Sequence, residues 1–215
     1  MFSSKAAPAS KRRTPAPEPT LAGEAAAAAR MLLAPPDQAL IDAVARVVPA
    51  PLEVEAARQD FRDFLCVPQS GHYIPPYAHV LSRGKQQAEF WQFPPSRLDG
   101  GDALRPWYEA FGFNPRLLAV DALIAGPDRP LDHAGVILAY LACLIAAARA
   151  EPLGPAVLRG FLRAHFGSWF DLLAELLRAS GSPYLTLLGG GLAEFAFDLR
   201  AAFPPQGEEP IAAAA

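Results

Sequence analysis

Four histidines, His72, His79, His133 and His165, and two cysteines, Cys66 and Cys143, are the side chains of this 215-residue sequence best suited to holding a metal or moving a proton. A structural zinc site needs its ligands at short, recurring spacings. The set His72, His79, His133 and Cys66 has no such spacing, and no CxxC pair occurs, so a metal centre is not expected. Asp132-His133 is the most conspicuous acid–base couple. Neighbouring residues on a helix project about 100° apart, so these two do not make a dyad on their own. His165 shares the apolar face of its helix and reads as a partly buried core histidine. Gly84-Lys85 lacks the upstream glycine and following hydroxyl residue of a phosphate loop. Gly189-Gly190-Gly191 follows no strand, and neither GxSxG nor HExxH is present. The expectation is a protein that makes and breaks no bonds and needs no cofactor. The competing readings are a small helical, metal-dependent hydrolase using His72, His79 or His133, and an interaction or assembly subunit of a redox complex.

Composition narrows the class further. With 52% hydrophobic and 19% charged residues the chain can bury a core without disulfides. A formal charge of -3 argues against a general nucleic-acid binder, which needs a basic face. Two cysteines fit a reducing compartment. The longest uncharged run, Ala134 to Ala148, is shorter than the roughly 20 residues that span a bilayer. A cytoplasmic protein without stable membrane insertion is expected. Residues 1–19 read as a disordered, basic, proline-rich leader. Arg12-Arg13 invites a twin-arginine reading, but Pro15, Pro17 and Pro19 interrupt the apolar stretch an export signal requires.

The elements that must position these residues are helices. Helical periods dominate, and alternating strand patterns are nearly absent. The sequence predicts helices over Thr20–Leu33, from an Asp37 cap to about Val48, and over Leu52–Cys66, with Val54, Ala57, Phe61, Phe64 and Leu65 on one face. A short helix is expected over His79–Phe93 and another over Asp102–Phe111, with Gly112 as its C-cap. Asp132 is expected to cap a long helix to Arg149 that is apolar all round and therefore central. Pro155 opens the next helix. Ser168 with Asp171 suggests a capping box for the one after, with Trp169, Leu172, Leu173, Leu176 and Leu177 as its stripe. Ser182-Pro183 opens the last, to about Phe203. Its three glycines imply either a close neighbour or a kink. The fold expected is an all-α, single-domain bundle of about eight or nine helices over residues 20–203, with a flexible tail over 204–215.

Four segments, in order, resemble the TorD/DmsD/NarJ family of all-helical chaperones for molybdenum-cofactor enzymes. Asp60-Phe61-Arg62-Asp63-Phe64-Leu65, followed by Pro68 and Pro75-Pro76-Tyr77, is similar to the family's aromatic helix end and Pro-Pro-Tyr loop. Trp107-Tyr108-Glu109-Ala110-Phe111-Gly112-Phe113 looks like its Tyr-x-x-x-Gly-Phe step. Asp128-Arg129-Pro130-Leu131-Asp132-His133 is similar to its Glu-x-x-Asp-His signature, with Arg129 where the family has glutamate and Asp128 one place earlier. Phe161-Leu162, His165, Trp169 and Pro183-Tyr184 match its last helices.

The resemblance implies a cytoplasmic, system-specific chaperone. Its partner would be the precursor of a molybdenum oxidoreductase catalytic subunit, bound through a twin-arginine leader before cofactor loading and export. Formate dehydrogenase is favoured over dimethyl-sulfoxide, trimethylamine-oxide or nitrate reductase. The family also implies a monomer or a domain-swapped dimer, and weak guanine-nucleotide binding. A leader offers two arginines and an apolar stretch, so its receptor needs carboxylates beside an apolar wall. Asp128 and Asp132 are the expected carboxylates. Tyr77, Trp107, Tyr108 and Phe111 are the expected wall, a solvent-accessible His133 is expected to contact the peptide, and Pro75 and Pro76 either contact it or fix the loop. Phe61 and Phe64 are expected in the core. Replacing Asp132 and His133 together by alanine is expected to weaken binding more than folding.

Overall fold

The computed structural model describes residues 18–44, 52–88, 90–126, 129–150 and 154–204. Residues 1–17 of the expected leader, most of the expected tail, Asp128 and the end of the second expected helix lie outside the described residues, while Glu18 and Pro19 of that leader belong to the first helix. Among the described residues the chain forms nine α-helices and one short hairpin. They are α1 (Glu18–Leu33), α2 (Gln38–Val44), α3 (Val54–Phe61), α4 (Ala78–Leu81), α5 (Arg105–Ala110), α6 (Ala134–Ala150), α7 (Gly154–His165), α8 (Ser168–Arg178) and α9 (Pro183–Ala202), with strands β1 (Lys85–Gln87) and β2 (Phe90–Gln92) between α4 and α5. None of these helices is long and apolar enough to cross a membrane.

The apolar run of α6 explains its place at the centre. Val136, Ile137, Leu138, Tyr140, Leu141, Leu144 and Ile145 are all buried, and the helix reaches solvent only in its second half, at Cys143, Ala146 and Ala150 among the described side chains. It packs on α1 and α7, while α9 packs on α8 and α1. Gly135 lets α1 and α6 approach closely, since a Cβ there would lie 2.6 Å from Leu33 Cγ. Gly189 does the same for α8 and α9: a Cβ would lie 2.6 Å from the Ala174 carbonyl oxygen. A close neighbour, not a kink, accounts for that glycine. Ser182 caps α9 as expected, its Oγ accepting from Leu185 N–H at 3.2 Å and donating to Asp60 at 2.6 Å. Asp37 likewise accepts from Leu40 N–H at 2.8 Å.

Several expected elements differ. The first helix begins at Glu18, because Pro19 falls in the first turn, where its missing N–H has no intrahelical acceptor to lose. The helix expected over His79–Phe93 is only the four residues of α4, followed by the hairpin. Gly84 breaks it: a Cβ there would meet Phe93 at 2.7 Å. The aromatic pair Phe90-Trp91 then favours extended backbone, in the register Lys85↔Gln92, Gln86↔Trp91, Gln87↔Phe90. The third helix closes in a π-turn over Arg62–Cys66, with Phe61 and Leu65 buried and Phe64 half-buried against His72. The Ser168–Asp171 capping box does not form. Asp171 turns instead to Arg200 of α9, with two bonds of 2.8 Å.

Candidate functional site

Two chain segments meet at the start of α6. Ala134 N–H donates to the Pro76 carbonyl at 2.7 Å, and Ala78 N–H donates to the Asp132 carbonyl at 3.1 Å. Tyr77 and His133 face each other as an antiparallel bridge, their rings edge to face at 5.3 Å. The Pro75-Pro76-Tyr77 turn and the Asp132-His133 pair are therefore neighbours. Both prolines are buried.

Asp132 is not the cap of α6. That helix starts at Ala134, so the capping position belongs to His133, whose Nδ1 accepts from Gly135 N–H at 3.1 Å. The Asp132 carboxylate reaches instead to His79, 53 positions away. It accepts from the His79 backbone N–H at 2.6 Å and from its Nδ1 at 2.8 and 3.0 Å. Nε2 of His79 accepts from Arg97 N–H at 3.0 Å, which makes Nδ1 the protonated nitrogen. Gly100 and Gly101 close this clamp. A Cβ on Gly100 would lie 2.2 Å from the His79 ring, and one on Gly101 would lie 2.5 Å from Asp132 N. Gly101 also has φ of 81°, which favours glycine. Leu131 N–H donates to the Gly100 carbonyl at 3.0 Å. Both imidazole nitrogens of His79 and both oxygens of Asp132 are thus engaged inside the protein.

The expected accessible His133 is fully buried, with Nε2 shielded and without a hydrogen-bond partner among the described residues. Burial, with Arg129 nearby, pushes its pKa down to about 3, so the ring is neutral near pH 7. Asp132 is 3% exposed and Tyr108 2%. Neither presents a side chain to a partner in this arrangement. Tyr108 donates to the Leu131 carbonyl at 3.0 Å, and burial raises its pKa. Trp107, half-buried, meets Phe161 at 5.4 Å and His165 at 5.6 Å, and Tyr140 donates to its carbonyl at 2.9 Å. These aromatics fasten α5 to α6 and α7. Tyr77 is half-buried, with its pKa raised by burial. The geometry therefore reverses the expected direction for the Asp132 and His133 double variant: these residues hold the fold first.

His72, His79, His133 and Cys66 do not gather, and no group of three or more potential metal ligands occurs among the described residues. Burial lifts the Cys66 thiol to about 12, which leaves it a poor nucleophile. The hollow beside the signature segment, about 690 Å3, is not the acidic cleft expected there. Arg105, Arg116 and Arg129 line it together with Asp102 and Glu109. Arg129 donates to the Pro115 carbonyl at 3.1 Å.

An acidic, apolar groove does exist on another face. Between α1 and α9 lies a hollow of about 640 Å3 whose base is Met31, Leu188, Leu192 and Phe195. Glu24 and Glu194 line it, with no lysine or arginine among the described lining residues. Gly190 and Gly191 widen it, since nothing lies within 4 Å of where their Cβ atoms would be. The sequence signal for this groove was the glycine triplet on the apolar helix α9, read only as a packing feature. No protein-family model matches the chain, and no curated protein or solved structure matches it.

Proposed function

We propose that this protein is a non-enzymatic chaperone that binds the precursor of a molybdenum-cofactor oxidoreductase through its twin-arginine leader and assists cofactor loading before export. The observation that carries this reading is the clamp. Pro76, Tyr77, Asp132 and His133, singled out by the resemblance and distant in sequence, join one hydrogen-bonded knot at the mouth of the central helix: Pro76 with Ala134, Tyr77 with His133, and Asp132 with His79. Such a knot fits a role in which the signature residues set the fold and the client is held elsewhere.

The groove between α1 and α9 suits the leader best. Its two glutamates complement a pair of arginines, and its apolar base complements the stretch that follows them. The hollow beside the signature, with three arginines against two carboxylates among its described lining residues, suits the same peptide less well.

Titrating a synthetic twin-arginine leader into the protein by calorimetry tests the reading. Glu24→Gln with Glu194→Gln should weaken binding roughly three- to thirty-fold, two exposed charge pairs at about 0.3–1 kcal/mol each. Replacing the two arginines of the peptide by glutamine should have a matching effect. Equal binding by both proteins would remove the groove from the account, and no heat with any leader at about 100 μM would remove leader binding itself.

A further inference from the structure

Between the ends of α7 and α9 lies a hollow of about 310 Å3. Leu162, Phe166, Leu199 and Phe203 form its apolar base, and Arg159, Arg163 and Arg200 stand around it. No carboxylate is among its described lining residues. The chain as a whole carries a formal charge of -3, so a hollow lined by three guanidiniums stands out against the rest of the surface.

The three arginines differ in what holds them. Arg200 donates two bonds of 2.8 Å to Asp171 and lies over the Phe166 ring at 5.8 Å, so it forms a fixed wall. Phe166 is itself packed on Phe170, their ring centroids 4.4 Å apart. Arg159 and Arg163 make no ion pair among the described residues. They sit one turn apart on one face of α7, where like charges repel. The dipole of α7 favours Arg163 in its last turn, but Arg159 lies too far from that end to share the benefit. Neither the dipole nor a carboxylate among the described residues accounts for the pair.

We propose that this hollow docks an acidic amphipathic helix of a partner protein. Two carboxylates four positions apart on such a helix stand about 6 Å from each other, the spacing of Arg159 and Arg163 themselves, and pair with both at once. An apolar side chain beside them covers Phe166 and Phe203, as in other helix-in-groove contacts. A bare inorganic anion would satisfy the arginines but leave the apolar base wet, and an apolar helix without carboxylates would bury the guanidiniums unpaired. The base and Arg200 are already fixed, so little is ordered on docking and two weak exposed pairs suffice for a transient contact. The same exposure makes the contact salt-sensitive. The site is independent of the leader groove, which lies on the α1 side of α9 and carries glutamates.

Calorimetry tests this with the full chain and a synthetic, alanine-rich helix of about 18 residues that carries two glutamates four positions apart beside a leucine. At about 20 mM NaCl the helix should bind with a Kd of order 100 μM, and at least threefold more weakly at about 300 mM. Arg159→Gln with Arg163→Gln should weaken binding at least threefold at unchanged helicity. Arg159→Glu with Arg163→Glu should reject that helix and bind the version with lysine in place of both glutamates. Equal binding of the glutamate helix and its glutamine version overturns the proposal, as does a charge swap that changes no preference. Arginine-dependent binding to phosphatidylglycerol vesicles without binding of the helix also overturns it, since the hollow would then belong to an anionic membrane surface.

Discussion

Replacing Asp132 by alanine is the perturbation whose cost the structure defines most closely. The substitution deletes the acceptor for two donors of His79, the backbone N–H at 2.6 Å and Nδ1 at 2.8 Å. The His79 side chain is 10% exposed, so water cannot readily replace the carboxylate. The imidazole cannot swing away either, because Gly100 lies against it and Arg97 N–H holds Nε2. Hydrogen bonds to a charged partner contribute about 1.5–3 kcal/mol each, and a buried donor left without an acceptor costs about 1–3 kcal/mol. Relief of the carboxylate's own desolvation offsets part of this, so a loss of about 3 kcal/mol is expected. For a chain of this size that is a fall in Tm of roughly 6–12 °C, read by circular dichroism at 222 nm with calorimetry alongside. Asp132→Asn, keeping one acceptor, should lose about half as much. In a double-mutant cycle with His79→Ala the two changes should couple by at least about 1 kcal/mol. A Tm within about 2 °C of the parent for Asp132→Ala, or additivity within about 0.5 kcal/mol, would refute the clamp as the role of these residues.

Other consequences follow from single contacts. Gly189→Ala should destabilise by about 1–2 kcal/mol, because the new methyl meets backbone atoms of Ala174 and Arg178, whereas Gly190→Ala should stabilise by up to about 1 kcal/mol; urea unfolding of both variants checks the opposite signs. His133, held near 3 when folded and near 6.5 when unfolded, leaves the unfolded chain binding the extra proton below pH 6.5, so stability falls as the solution is acidified. Between pH 7 and pH 5 that residue alone should cost about 2 kcal/mol, and His133→Asn should remove this part of the pH dependence in denaturant titrations at the two pH values. Gly101→Ala should lower Tm more than Gly112→Ala, although both glycines have positive φ, because only at Gly101 does a Cβ strike another residue, Asp132.

The helices were legible where one face carries the apolar residues and the ends carry their own signals. The stripe of α8, the Ser182-Pro183 start of α9 and the uniformly apolar α6 each depend on residues within a turn or two of one another. The hairpin was not legible, because its strands are three residues each and their partner is the next strand, not a repeating face. At the signature, local logic put the cap on Asp132. The structure gives that place to His133, because Asp132 has a partner 53 positions away that no local pattern announces. The part played by Gly100-Gly101 was hidden for the same reason. Their lack of side chains matters only once His79 and Asp132 are alongside. Trp107 and Tyr108, expected as wall residues, pack inward instead, since aromatic residues on a short helix have to find a core.

Hydrogen exchange of the protein with a molybdenum oxidoreductase precursor, with and without its leader, tests the central proposal most directly. With the intact precursor, amides of α9 from Thr186 to Phe195 and of α1 from Glu24 to Met31 should exchange more slowly, while those around the Asp132–His79 clamp stay as they were. The leaderless form should give no such slowing. Protection that is the same with and without the leader, or that falls on the signature hollow and spares the groove, would contradict it.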